Sequence, residues 1–210
     1  MIEDQLRRRG ISDERVLEAM LAVPRHEFVP LQAIDFAYED RPLPIGEAET
    51  ISQPYMVAVM TQAASIEPGD KVLEVGAGSG YQAAILAHLG ARVYAVERNY
   101  RLAELARARL ARLGYSSVEI IWGDGTEGYL AAAPYQVIVV TAGAPQIPDP
   151  LRDQLADGGR LLIPVGSHYQ QNLYLVSKRG NEFVKRILDP CQFVPLVGKY
   201  GWPERDETVQ

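Results

Sequence analysis

From residue 71 onward, five short apolar runs, at 72–75, 92–96, 118–122, 136–141 and 160–165, alternate with helix-patterned segments at 81–89, 100–113 and 148–155. Strands that alternate with helices build βαβ units, and these require a mostly parallel sheet covered on both faces. After Gly166 the pattern changes: strand-like runs at 172–177 and 183–194 flank the turn signal Arg179-Gly180-Asn181. An antiparallel hairpin is therefore expected to end the sheet. The expected fold is α/β, a doubly wound, mostly parallel sheet with that hairpin at its C-terminal end.

The N-terminal quarter reads differently. Over residues 12–23, Val16, Leu17, Met20 and Leu21 recur at helical spacing behind an acidic first turn of Asp13 and Glu14, which suits the helix dipole. Pro24, Pro30, Pro42, Pro44 and Gly46 then break the chain, leaving at most a short helix at 31–38 and a loop through Thr50. Residues 1–53 are thus expected to form a helical and loop appendage on an α/β core of 54–210. A length of 210 residues suits one such unit.

A net charge of −6 supplies no general attraction for a phosphate backbone, so nucleic acid is not an expected partner. The basic sets Arg7 to Arg9 and Arg101, Arg107, Arg109 and Arg112 are mixed with acids and read as solvated helix faces. No apolar run reaches the roughly 20 residues of a bilayer span, and residues 1–10 carry charge without a following apolar stretch, unlike a secretory signal. A cytoplasmic monomer without membrane contact is the expectation. The lone Cys191 has neither a disulfide partner nor a CxxC context, so it reads as a small hydrophobe and no metal site is expected.

The first core strand runs into Glu74-Val75-Gly76-Ala77-Gly78-Ser79-Gly80, directly before a helix. Glycines at such a junction let backbone approach a ligand, and the helix N-terminus offers free N–H groups. The spacing is G-x-G-x-G, with Tyr81 where a dinucleotide fingerprint carries its third glycine, so pyrophosphate binding is disfavoured. Glu97 ends the second strand, where a carboxylate can accept both hydroxyls of a ribose; the alternative is an exposed acid at a helix start. Asp124 and Gly125, after the third strand, can meet an adenine ring or be no more than a turn. Glu74 is out of place in a buried strand unless a cation such as the α-ammonium of a methionine moiety meets it.

Together, the stretch from Val72 to Gly80, Glu97, Asp124-Gly125 and Leu155-Ala156-Asp157-Gly158-Gly159-Arg160-Leu161 resemble the ordered motifs of the Rossmann-like class I methyltransferases. The upstream block Glu49-Thr50-Ile51-Ser52-Gln53-Pro54-Tyr55-Met56-Val57-Ala58 is similar to the signature of the isoaspartyl methyltransferase family. So are Gly78-Ser79-Gly80-Tyr81-Gln82, the run from Pro134 to Ala144, Leu162-Ile163-Pro164-Val165-Gly166 and Phe193-Val194-Pro195-Leu196. In family order these cover nearly the whole chain. Gln136 and Val197 depart from the family, which often has an aspartate and, in some members, a threonine there.

The resemblance implies an enzyme that transfers methyl from S-adenosyl-L-methionine, leaving S-adenosyl-L-homocysteine, to the free α-carboxylate of L-isoaspartyl residues in damaged proteins and peptides, so initiating repair. It implies that Thr50, Ile51, Ser52, Glu74, Gly76, Ala77, Gly78, Glu97, Arg98, Asp124 and Gly125 bind cofactor. Ser52 is the expected catalytic residue, aiming the substrate carboxylate, and Ala142, Gly143, Val194, Pro195 and Leu196 hold the peptide. On its own pattern Ser52 also reads as the residue just outside a helix that Pro54 begins, with Gln53 as its cap. A carboxylate is already ionised at neutral pH, so no general base is needed; His26, His88 and His168 lie in separate segments and read as structural or exposed. Rival readings are a nicotinamide-dependent oxidoreductase, a noncatalytic isoaspartyl-recognition module and a methyltransferase of a small molecule.

Overall fold

Asp13 opens the first α-helix, α1 (Glu14–Ala22), by accepting a hydrogen bond from the Arg15 amide at 2.9 Å, a role that short acidic side chains fill well. The computed structural model describes residues 1–204. After α1 the prolines leave only 3-10 turns, at Arg25–Phe28 and Leu31–Phe36. The stretch expected to be a loop through Thr50 instead forms an antiparallel ribbon of β1 (Leu43–Gly46) and β2 (Glu49–Ile51). Its tip residues Glu47 and Ala48 have φ of 54° and 58°, the positive values of a type I′ hairpin turn. Asn or Gly usually announces such a turn, and neither stands at the tip. Helix α2 (Pro54–Ala64) follows, with Pro54 at its first position.

The large sheet holds β3 (Lys71–Val75), β4 (Arg92–Glu97), β5 (Val118–Trp122), β6 (Tyr135–Val140), β7 (Leu155–Gly166), β8 (Gln171–Arg179) and β9 (Glu182–Cys191) in the order β5-β4-β3-β6-β7-β8-β9. The strands from β3 to β7 are parallel, and β8 and β9 are antiparallel, which is the expected fold class. Helices α3 (Tyr81–His88), α4 (Tyr100–Arg112) and α5 (Asp149–Asp153) connect them. α5 is shorter than its pattern suggested, because the chain enters β7 already at Leu155. β9 likewise ends at Cys191, so residues 194–196 leave the sheet.

Alternation along the central strands feeds two cores. Val72, Val137 and Val139 join the cluster under α2 and α3, whereas Leu73, Val75, Ile138 and Val140 join the one that includes Leu151 of α5. Leu6, Ile11, Val16, Met20 and Phe28 belong to the first of these clusters, with Ile85 of α3. Ser12 and Asp13 donate backbone N–H groups to Oε1 of Gln62, at 2.8 and 2.9 Å, fixing the start of α1 to α2.

Candidate active site

From β3 the chain adds β4 and β5 on one side, then returns to add β6 and β7 on the other. This leaves a crevice beyond the C-terminal end of β3, the switch point at which open α/β sheets hold ligands. A cavity of about 1100 Å³, counting its open mouth, lies there. Its floor is the Gly76-to-Gly78 turn. Gly76 has φ +94°, and a Cβ on it would lie 2.7 Å from Thr141 Oγ1, so only glycine lets β6 and the turn meet. Thr141 holds the turn, donating its amide to the Val75 carbonyl at 2.9 Å and its hydroxyl to the Gly76 carbonyl at 2.6 Å.

Glu97, 7% exposed, is oriented by two backbone donors: Gly78 N–H reaches Oε2 and Asn99 N–H reaches Oε1, each at 2.8 Å. A carboxylate has about four acceptor sites, so two are left for a ligand. Glu74 is fully buried, and among the described residues neither of its oxygens has a partner. Burial first, and the Glu97 carboxylate second, push its pKa well above the usual glutamate range. Glu49 of β2 also lines the cavity; burial, then Glu97, raise it from 4.5 to about 7, against the pull of Arg98. Glu47, Glu49, Glu74 and Glu97 thus face a space whose lining includes one cation, Arg98. That arrangement suits a ligand carrying positive charge, and the two orphaned oxygens of Glu74 suit an ammonium that brings both charge and N–H donors.

Ser52 lines this cavity from the mouth of α2. The helix cap that could have claimed its hydroxyl is supplied from elsewhere. Asp40 Oδ1 accepts the Tyr55 amide at 3.2 Å, and Gln53, at the N-cap position, makes no side-chain cap bond. The Ser52 carbonyl accepts from Nη2 of the buried Arg25 at 2.8 Å, and Arg25 Nε donates to the Ala37 carbonyl at 2.7 Å.

Of the other residues singled out in the sequence, Thr50, Ile51, Ala77, Gly78, Arg98, Gly125, Ala142, Val194, Pro195 and Leu196 line the cavity with Glu74, Gly76 and Glu97. Asp124 and Gly143 do not. Asp124 Oδ1 accepts from the Thr126 amide and hydroxyl, and Oδ2 accepts from the Lys199 amide. Gly143 spends its backbone on the C-terminal segment, donating to the Val194 carbonyl and accepting from Leu196 N–H and Trp202 Nε1. Gln136, where an acid was not assumed, accepts the Lys71 amide at 2.9 Å. His26 pairs with the Tyr38 hydroxyl and His168 stacks on Trp202; neither they nor His88 line the cavity.

Reasoning from sequence missed Glu49, Thr141 and Gln82. Gln82 is buried, and its Oε1 lacks a partner among the described residues. Glu49 and Gln82 each stood inside a quoted block, but only the folded chain, which brings β2 and the start of α3 to the end of β3, shows that they line the same space as Glu74.

Residues 1–201 match the family model for protein-L-isoaspartate(D-aspartate) O-methyltransferase. The chain is 55% identical over 202 residues to the protein-L-isoaspartate O-methyltransferase of Methanoculleus marisnigri, covering 96% of this chain and 92% of that one. It is 54% identical over 202 residues to that of Koribacter versatilis, covering 96% and 91%. Among solved structures, a protein-L-isoaspartate O-methyltransferase superposes with a TM-score of 0.85 at 31% identity, over 96% of this chain and 67% of that one. A Plasmodium falciparum homologue in complex with S-adenosyl-L-homocysteine gives 0.79 at 28% identity, over 92% and 95%.

Proposed function

The chain belongs to the protein-L-isoaspartate(D-aspartate) O-methyltransferase family and methylates isoaspartyl residues for protein repair, with S-adenosylmethionine as methyl source, and we propose that the transfer takes place in the Glu74–Glu97 cavity. The observation that carries this placement is Glu74: a carboxylate wholly out of water, with both oxygens without a partner among the described residues, beside a glycine turn and a second, oriented carboxylate. Glu74 would accept from the α-ammonium, Glu97 from the ribose hydroxyls, and backbone from Gly76 to Gly78 would follow the chain between them. Arg98, Gly125, Thr50 and Ile51 would flank the remainder.

When bound, the cofactor supplies an electrophilic methyl group on a sulfonium. The acceptor is the free α-carboxylate of the isoaspartyl unit, with a pKa of roughly 3.5 to 4, already ionised at neutral pH. The chain's task is therefore alignment and exclusion of water rather than proton transfer; orientation can lower a barrier by several kcal/mol, up to about 7 to 11 in well-aligned systems. The Ser52 hydroxyl, free of any cap duty, would hold one carboxylate oxygen and aim the other. Ala142 and residues 194–196 would hold the flanking peptide. We assign the reaction to the cytoplasm and to a monomer acting on proteins and peptides, not on nucleic acid or at a membrane. Among the described residues no helix is long and apolar enough to cross one, and the net charge of −6 opposes binding to phosphate backbones.

In an isoaspartyl unit the main chain runs through the side-chain methylene, so the free carboxylate sits directly on Cα. A clamp that fixes the flanking peptide places that carboxylate and leaves a normal aspartate out of line. The test is methylation of an L-isoaspartyl peptide and its L-aspartyl isomer with radiolabelled S-adenosylmethionine, counted as volatile methanol after base. The isoaspartyl peptide is expected to lead by orders of magnitude in kcat/KM. Comparable rates would overturn the substrate assignment and leave the methyltransferase fold standing.

A further inference from the structure

Gln82, the second residue of α3, is 6% exposed and lines the cavity together with Val57, Met60 and Glu74. Its Nε2 donates to Thr61 Oγ1 of α2 at 3.0 Å, and the Thr61 hydroxyl donates to the Val57 carbonyl at 2.7 Å. A hydroxyl has one proton to give. With that proton committed to Val57, Thr61 can only accept from Gln82, so the amide must turn its NH2 group to α2 and its carbonyl away from it. That carbonyl oxygen, Oε1, is out of water and has no partner among the described residues. Burying an acceptor without a donor is costly, and this one is held in its orientation by a second pair.

Alternation along β3 brings Glu74 to the same side. Glu74 shares its face of the sheet with Val72, which packs in the cluster that holds Val57 and Met60 of α2 and Ala83 of α3, whereas Leu73 and Val75 face the other core. Glu74 from β3 and Gln82 from α3 therefore meet the cavity from one side, and their three unpartnered oxygens are all acceptors. Such a wall calls for a donor, and the carboxylate of a methionine moiety brings none. The ribose hydroxyls are matched by Glu97 at the end of β4, and the adenine amino group lies beyond the ribose. The α-ammonium, at the other end of the cofactor, has three N–H groups to offer.

We propose that Gln82 completes the ammonium site: Oε1 accepts one N–H, Glu74 takes the others, and Thr61 is the positioning residue that keeps the amide from turning over. This rests on the assignment of the cofactor to the Glu74–Glu97 cavity. A neutral acceptor suits the place. Glu47, Glu49, Glu74 and Glu97 already supply negative charge to this space, and a further carboxylate would add repulsion where an amide adds only direction.

The experiment is titration calorimetry of wild type, Gln82→Met and Thr61→Val with two ligands. One is S-adenosylhomocysteine, and the other is its deamino analogue, in which hydrogen replaces the α-amino group. Gln82→Met keeps the length of the side chain, removes the acceptor and leaves Thr61 its bond to Val57. It is expected to weaken S-adenosylhomocysteine about tenfold or more, as for the loss of a hydrogen bond to a charged group, while the Kd of the deamino analogue stays within about threefold. Thr61→Val changes a residue outside the cavity lining and lets the amide turn; it should weaken S-adenosylhomocysteine about fivefold and again spare the analogue. Equal losses for the two ligands would mean that Gln82 only joins α3 to α2, and they overturn the proposal, as does an unchanged S-adenosylhomocysteine Kd in Gln82→Met. Should Gln82→Met fail to fold, a wild-type S-adenosylhomocysteine Kd in Thr61→Val overturns it. An unchanged Kd in Glu97→Ala would instead remove the cavity assignment beneath it.

Discussion

The guanidinium of Arg25, fully buried, donates to the Ser52 carbonyl at 2.8 Å and so ties the segment after α1 to a residue that lines the Glu74–Glu97 cavity. The same side chain donates to the Ala37 carbonyl and lies 5.0 Å above the Tyr81 ring, itself part of the cavity wall. Arg25→Met keeps much of the stem and strands two carbonyls. It should destabilise the fold by about 2 to 5 kcal/mol in urea unfolding. In the folded fraction it should also lower kcat on isoaspartyl peptide, because the Ser52 backbone loses its tether. Unaltered kcat at full folding would show that the bond serves stability alone.

Ser52→Ala tests the other half of that link. Since Asp40 caps α2, removing the hydroxyl should leave the melting temperature nearly unchanged. Loss of one hydrogen bond to an ionised substrate, worth about 1.5 to 3 kcal/mol, should lower kcat/KM by one to two orders of magnitude with S-adenosylhomocysteine affinity within a few fold. A destabilised but fully active variant would return Ser52 to the role of a cap.

Glu97→Ala removes the acceptor of the Gly78 and Asn99 amides as well as the proposed ribose contact. Calorimetry on the folded variant should show S-adenosylhomocysteine binding weakened by about 1.5 to 3 kcal/mol. An unchanged dissociation constant would take Glu97 out of the site.

Glu49 predicts a pH signature for the ligand-free protein. Burial, then Glu97, raise its pKa from 4.5 to about 7. Between those values the folded state binds more protons than the unfolded chain, so this residue's contribution to stability falls as pH rises and levels off above about 7. Relative to Glu49→Gln, the wild type should therefore lose melting temperature from pH 4.5 to 7 and hold steady beyond. Parallel curves for the two proteins across that window would contradict the raised pKa.

What the sequence determined by itself was what depends on neighbours along the chain. The period of apolar residues from Val72 to Val165 specified a parallel α/β sheet, since a strand buried on both faces and an amphipathic helix each write their pattern locally. Gly76, Gly78 and Glu97 were legible for the same reason: turn, helix start and strand end lie within a few residues of each. The order of blocks from Glu49 to Leu196 was enough to point to the isoaspartyl methyltransferases. Tertiary structure decided the rest. The β1–β2 ribbon carries no Asn-Gly turn signal, and its Glu49 acquires a raised pKa only because folding buries it, and secondarily because it lies near Glu97. Asp40 capping α2, Arg25 holding Ser52 and Asp124 holding Lys199 join residues 15, 27 and 75 positions apart. No local pattern encodes such pairs; each forms when packing brings together a donor and an acceptor distant in sequence, and for Arg25, which is fully buried, leaving the donor unpaired would be costly.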